Sequence, residues 1–122
     1  MKTIIAGSRT IKDYWPVAKA IERAVSVDNI FITEVVSGVC KGPDLLGETW
    51  ARKNSIPIKR FPADWEKNGK SAGFIRNREM VDYVGKEGAL IALWDGKSKG
   101  TKNTIELAKK KGMIVSVQII KV

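Results

Sequence analysis

Two spacings of apolar residues alternate along this chain. In KTIIAG (2–7) they form a short unbroken run closed by Gly7, the mark of a buried strand. In YWPVAKAIERAVSV (14–27) Val17, Ala20, Ile21, Ala24 and Val25 recur at helical spacing, which predicts an amphipathic helix. Asp13 is placed to cap that helix, and Pro16 suits its first turn, where a missing N–H costs nothing. The alternation then repeats. IFITEVVSG (30–38) supplies a second strand, most buried near Val35–Ser37, and a second helix runs from a cap at Asp44 through Ser55. IPIKRF (56–61) is a third strand, and PADWEKNGKSAG (62–73) reads as a polar loop. FIRNREMVDYV (74–84) is a helix with Phe74, Asn77, Met80, Val81 and Val84 on its inward stripe. ALIALW (89–94), continuous and apolar, has the pattern of a parallel strand covered on both faces. TKNTIELAKKK (101–111) is a fourth helix ended by Gly112, and MIVSVQIIKV (113–122) is a fifth strand.

Strands separated by helices of about a dozen residues predict βα units, right-handed crossovers and a parallel sheet. The expected fold is a Rossmann-like α/β three-layer sandwich of about five parallel strands with helices on both faces, one domain over residues 1–122. In such sheets ligands bind beyond the carboxyl ends of the strands, where strand order reverses. The loops at that edge are 7–12, 37–43, 61–72 and 95–100, and polar and glycine residues concentrate in all of them.

The first loop, GSRT, offers Gly7 for close backbone approach, the Ser8 hydroxyl, and the Arg9 fork that suits phosphate or carboxylate. The second, from Ser37, has Gly38 and Gly42 around Lys41, so that successive N–H groups converge on an anion beside a helix start. It is neither a Walker A sequence nor a G-x-G-x-x-G fingerprint. In the third, Asp64 follows a strand end as an acceptor for a ribose hydroxyl or base amine, and Trp65 offers a stacking surface. Arg76 lies in the first turn of the next helix, and Asn77 in its apolar stripe needs a polar partner. In the fourth, Asp95 stands at the tip of the best strand, and Gly100–Thr101 opens a helix with Thr101 as cap and free amides behind it.

Composition narrows the chemistry. A net charge of +9 predicts an acidic partner, with nucleic acid, anionic lipid and phosphorylated small molecules all compatible. Lys109, Lys110 and Lys111 suit the final turn of a helix, opposite its macrodipole. The absence of histidine removes the commonest general base and metal ligand, and with a lone Cys40 it argues against a zinc site or cysteine protease. No metal and no cofactor is expected. Cys40 cannot form an internal disulfide, no apolar run approaches the ~20 residues of a membrane span, and MKT leads straight into a strand. A cytoplasmic location and no membrane partner are the expectations, and self-association stays open.

Taken in order, GSRT, SGVCKGPDLLGETWA, IPIKRFPADWEKNGKSAGFIRNREM and ALIALWDGKSKGT resemble the SLOG superfamily, and within it the small YspA/YpsA-related proteins of bacteria and phages. The resemblance covers nearly the whole chain. It implies a Rossmann-like fold that binds nucleotides or nucleotide-derived signals. Where such proteins tend to read SGGARGAD, this chain has Val39, Cys40, Lys41 and Pro43, losing a glycine and an arginine fork. The superfamily's phosphoribohydrolases carry GGxGTxxE with a catalytic glutamate; KSKGTKNT puts Thr104 at that place and leaves Glu106 on another face, although Arg76 matches the arginine of their partner motif. The expected function is therefore non-catalytic binding of a nucleotide or nucleotide-derived ligand. Two alternatives remain: N-glycosidic hydrolysis of a nucleoside monophosphate, with Asp64 or Asp95 substituting for the glutamate, and single-stranded nucleic-acid binding. The basic residues form no long interleaved aromatic–basic track of the kind stacking platforms use.

Overall fold

The computed structural model describes residues 1–121; Val122, read above as the end of the fifth strand, lies outside them. Five parallel strands form one sheet: β1 (Lys2–Gly7), β2 (Glu34–Ser37), β3 (Ile58–Arg60), β4 (Ala89–Trp94) and β5 (Ile114–Ile119), in spatial order β3-β2-β1-β4-β5. The helices are α1 (Tyr14–Val27), α2 (Pro43–Lys53), α3 (Trp65–Asn68), α4 (Ala72–Val84) and α5 (Lys99–Lys111), with a single 3-10 turn at Gly69–Ser71. The Rossmann-like sandwich is present.

Period-two alternation in β1 sends successive isoleucines to opposite faces of the sheet. Ile5 packs with Val17, Ile21 and Ala24 of α1 and Ala51 of α2, whereas Ile4 packs with Met80 and Val81 of α4 and Ile105 and Ala108 of α5. Two helical layers therefore cover one sheet. β4 runs between β1 and β5, and Ala89–Leu93 are fully buried, which is why its sequence does not alternate. Chain order steps outward from β1 to β2 and β3, then returns across the sheet to β4. The reversal lies between β1 and β4.

Helix α2 approaches β1 closely enough that Gly47 has no room for a side chain. A Cβ there would meet Cγ2 of Ile5 at 2.7 Å and its Cβ at 2.9 Å. Gly47→Ala is expected to destabilise the fold by about 1–2 kcal/mol, as overpacking outweighs the better helix propensity of alanine. Urea denaturation midpoints at unchanged slope would show it.

Several expected boundaries move. α2 opens at Pro43 with Gly42 as its N-cap, not at Asp44, and ends at Lys53 before Ser55. α5 is capped by Ser98, whose hydroxyl accepts from the Thr101 N–H at 3.3 Å, so Thr101 is inside the helix. The supposed loop at 62–73 contains α3 and the 3-10 turn, and α4 starts at Ala72 before Phe74. Phe74 and Val25 face solvent instead of joining the inward stripes. Asp13 has the extended backbone of a cap but makes no side-chain capping bond. Among the described residues no helix is long and apolar enough to cross a membrane.

Candidate functional site

A hollow of about 360 Å³ opens at the reversal point, beyond the carboxyl ends of β1 and β4. Its wall takes Ala6, Gly7, Arg9 and Thr10 from β1 and its loop, and Cys40 and Asp44 from the β2–α2 connection. Arg76, Asn77 and Met80 of α4 close another side. Asp95 and Ser98 after β4, with Gly100, Thr101 and Thr104 of α5, complete it. Both helical layers thus contribute.

Arg76 is the most constrained cation in the wall, only 8% exposed. Its Nε donates to Asn77 Oδ1 at 2.9 Å, Nη1 donates to the Gly38 carbonyl, and Nη2 reaches Cys40 Sγ at 3.5 Å. Asn77 in turn donates to the Gly100 carbonyl at 3.3 Å and Asn103 Oδ1 at 3.1 Å, tying α4 to α5. This satisfies the polar residue in the apolar stripe. All of the partners that hold Arg76 are neutral.

The nearby anion is Asp44. A Cβ built on Gly38 would lie 2.7 Å from Asp44 Oδ2 and 2.9 Å from Arg76 Nη1, so carboxylate and guanidinium flank the same point. Burial raises the Asp44 carboxyl from its ordinary 3.8 to about 6; the Arg76 charge and the N–H groups of Cys40, Gly7 and Asp44 itself oppose that rise without cancelling it. Asp44 is 5% exposed.

Asp95 is the opposite case. Its carboxylate accepts from the N–H groups of Ser98 at 2.9 Å and Lys97 at 2.8 Å and from the Thr10 hydroxyl at 3.1 Å. Those bonds, the Ser98 and Lys97 amides foremost, hold it down at about 2. It organises the β4–α5 turn, and its acceptor positions are largely used. Ser8, buried, accepts the Asp95 N–H at 3.0 Å and so locks the first loop to the fourth from behind the wall. Thr104 donates to the Gly100 carbonyl at 3.2 Å, a neutral hydroxyl where the resemblance would place a glutamate.

Of the residues singled out in the sequence, Gly7, Arg9, Asp44, Arg76, Asn77, Asp95, Gly100 and Thr101 share this hollow. The others serve elsewhere. Ser37 donates to buried Glu48 Oε2 at 2.6 Å, which also takes Arg60 Nε at 3.2 Å, so that pair knits β2, β3 and α2. Gly38 supplies its carbonyl to Arg76, and Gly42 turns the chain into α2 at φ +94°, a conformation costly to a residue with a Cβ. Lys41 is exposed and outside the wall. Asp64 caps α3 by accepting the Lys67 N–H at 3.1 Å and is likewise not in the wall. Thr10, Cys40, Met80, Ser98 and Thr104 line the hollow without having been chosen for it. Thr10 and Cys40 lie in the two loops already identified, and their positions there were the signal.

Among the described residues no group of three or more His, Cys, Asp or Glu side chains could hold a metal ion. The arrangement instead offers Arg9, Arg76 and the positive end of α5 to a negative group.

Comparison with known proteins agrees with this geometry. The model of the YspA, cpYpsA-related SLOG family matches residues 1–68, from β1 through α3. The Gene 61 protein of Mycobacterium phage D29 is 33% identical over 121 residues, covering 93% of each chain. No solved structure matches. With more than half its length matched by that model, and with the sheet and loop edge in place, the chain belongs to the YspA- and cpYpsA-related family of the SLOG superfamily.

Proposed function

We propose that the chain binds a nucleotide or nucleotide-derived ligand, as a sensor or sequestering protein, without cleaving it. The observation that carries this reading is the convergence of Arg9, Arg76 and the opening turn of α5 on one hollow at the strand-order reversal. Its volume, about 360 Å³, suits a small molecule. Each charge-assisted hydrogen bond to a phosphate contributes about 1.5–3 kcal/mol, and a few reach micromolar affinity after association costs. Against cleavage stand the saturated Asp95, Asp64 engaged as the α3 cap outside the wall, and the hydroxyl of Thr104.

Thermal-shift measurements with NAD, ADP-ribose, cyclic nucleotides and nucleoside phosphates at millimolar concentration test it. A ligand present at a hundred times its Kd stabilises by about 2.7 kcal/mol, a rise of several degrees in Tm. Unchanged melting with every one of them would refute the reading.

One observation favours the hydrolase alternative. Asp44 is a carboxyl in the wall that burial pushes up to about 6, the range of a general acid in glycosidic cleavage. Incubation with AMP followed by chromatography decides between them. Free adenine that disappears in Asp44→Asn would establish catalysis; intact AMP supports binding alone.

A further inference from the structure

Helix α3 has no evident reason to exist as part of the core. It spans four residues, buries none of them, and its Trp65 belongs to neither apolar cluster. Trp65 is 53% exposed, an unfavourable place for a large apolar ring with no partner. The helix is nevertheless held in place, by the Asp64 cap at one end and by contact with α4.

What α3 does is bring the indole near the guanidinium of Arg76, which lies in the wall of the hollow. A Cβ built on Gly73 would lie 3.6 Å from Trp65 Cη2 and 3.8 Å from Arg76 Nη2. The ring edge and the guanidinium therefore border one side-chain-free position. With glycine at position 73, no side chain of that residue fills the space between Arg76 and the half-exposed indole. Phe74 and Ile75, next along α4, are also exposed at 49% and 40%. Tryptophan is the strongest stacking surface for a nucleobase, since every base presents a π-face.

We propose that Trp65 is a base-stacking residue. The phosphate lies between Arg9, Arg76 and the start of α5, and the base passes over Gly73 onto the indole. This rests on the nucleotide-binding reading above and adds selectivity to it: the site prefers phosphorylated nucleosides to phosphorylated sugars because of one side chain outside the phosphate cradle.

The test compares AMP with ribose 5-phosphate by calorimetric titration of the wild-type chain, Trp65→Ala and Trp65→Phe. AMP binds the wild type about tenfold more tightly than ribose 5-phosphate. In Trp65→Ala that advantage falls to near unity while ribose 5-phosphate is unaffected, and Trp65→Phe restores most of it. Retained ribose 5-phosphate binding shows that the variant is folded and the cradle intact. Two results overturn the proposal while leaving the cradle standing: AMP no tighter than ribose 5-phosphate in the wild type, or an unchanged AMP advantage in Trp65→Ala. Equal loss of both ligands in Trp65→Ala and in Trp65→Phe overturns it too, since the ring then supports the cradle and not the base. Wild-type chain that binds neither compound also overturns the proposal, and the reading it rests on falls with it only when the whole thermal-shift series is flat as well.

Discussion

Arg76→Met is expected to lower stability at pH 7.5 by about 2–4 kcal/mol and to weaken binding of any anionic ligand at least tenfold. The guanidinium bonds the Gly38 carbonyl, Asn77 Oδ1 and Cys40 Sγ, and methionine fills similar space without a donor. Buried acceptors lose their partner, and Asp44 loses the cation that favours its ionised form. The second loss separates this prediction from generic core damage. Adding Asp44→Asn to Arg76→Met should recover about 2–4 kcal/mol, more than the same substitution gains in the wild-type chain, since without Arg76 the carboxylate is an uncompensated buried charge. Urea denaturation of the two single variants and the double variant gives the coupling. Strict additivity of the two substitutions would show that Arg76 and Asp44 do not act on each other.

Asp44→Asn alone should raise stability at neutral pH. Its carboxyl titrates at about 6 in the folded chain against 3.8 in the ordinary case, so the folded state binds the proton more tightly. The contribution is fully present below pH ~4 and is lost as pH rises through ~6. That rise from 3.8 to about 6 corresponds to about 3 kcal/mol. Asparagine lacks the charge but cannot accept every N–H now directed at the carboxylate, so the net gain at pH 7.5 is about 1–2 kcal/mol, a Tm higher by several degrees. Between pH 4 and 6.5 the wild type should lose about 3 kcal/mol relative to the variant, so that below pH 4 the order reverses and the wild type is the more stable by about 1–2 kcal/mol. Parallel pH profiles for the two proteins would remove Asp44 as their cause. The same change takes a negative charge from beside Arg76, so anion binding should tighten in the variant at neutral pH. The chain keeps a group that weakens it, as functional sites commonly do.

The sheet was legible because hydrophobic burial dictates its sequence directly. ALIALW has no polar position, and it has none because helices cover both sides of β4. Cap identities were harder to read. Asp44 and Thr101 are both good cap residues by type, yet the backbone turns at Gly42 and at Ser98, and that choice depends on dihedral angles no local composition specifies. Asp44 was chosen for one role and has another, facing Arg76 from inside the first turn. Lys41 and Asp64 were chosen because they sit in the right loops; a loop's membership in the ligand edge does not say which way each side chain points. α3 escaped because four residues carry too little periodicity to register as a helix. Arg76 and Asn77, by contrast, were conspicuous as polar residues where a helix should be apolar, and their mutual bond explains both.

The hollow is assembled from opposite sides of the sheet, with Asp44 arriving on one helical layer and Arg76 and Thr101 on the other. Neither layer encloses the space by itself. Detachment of either would dissolve the chamber, so a ligand bound as proposed above would hold the two layers together. Under that proposal, added nucleotide is expected to raise resistance to proteases, measured as slower cleavage.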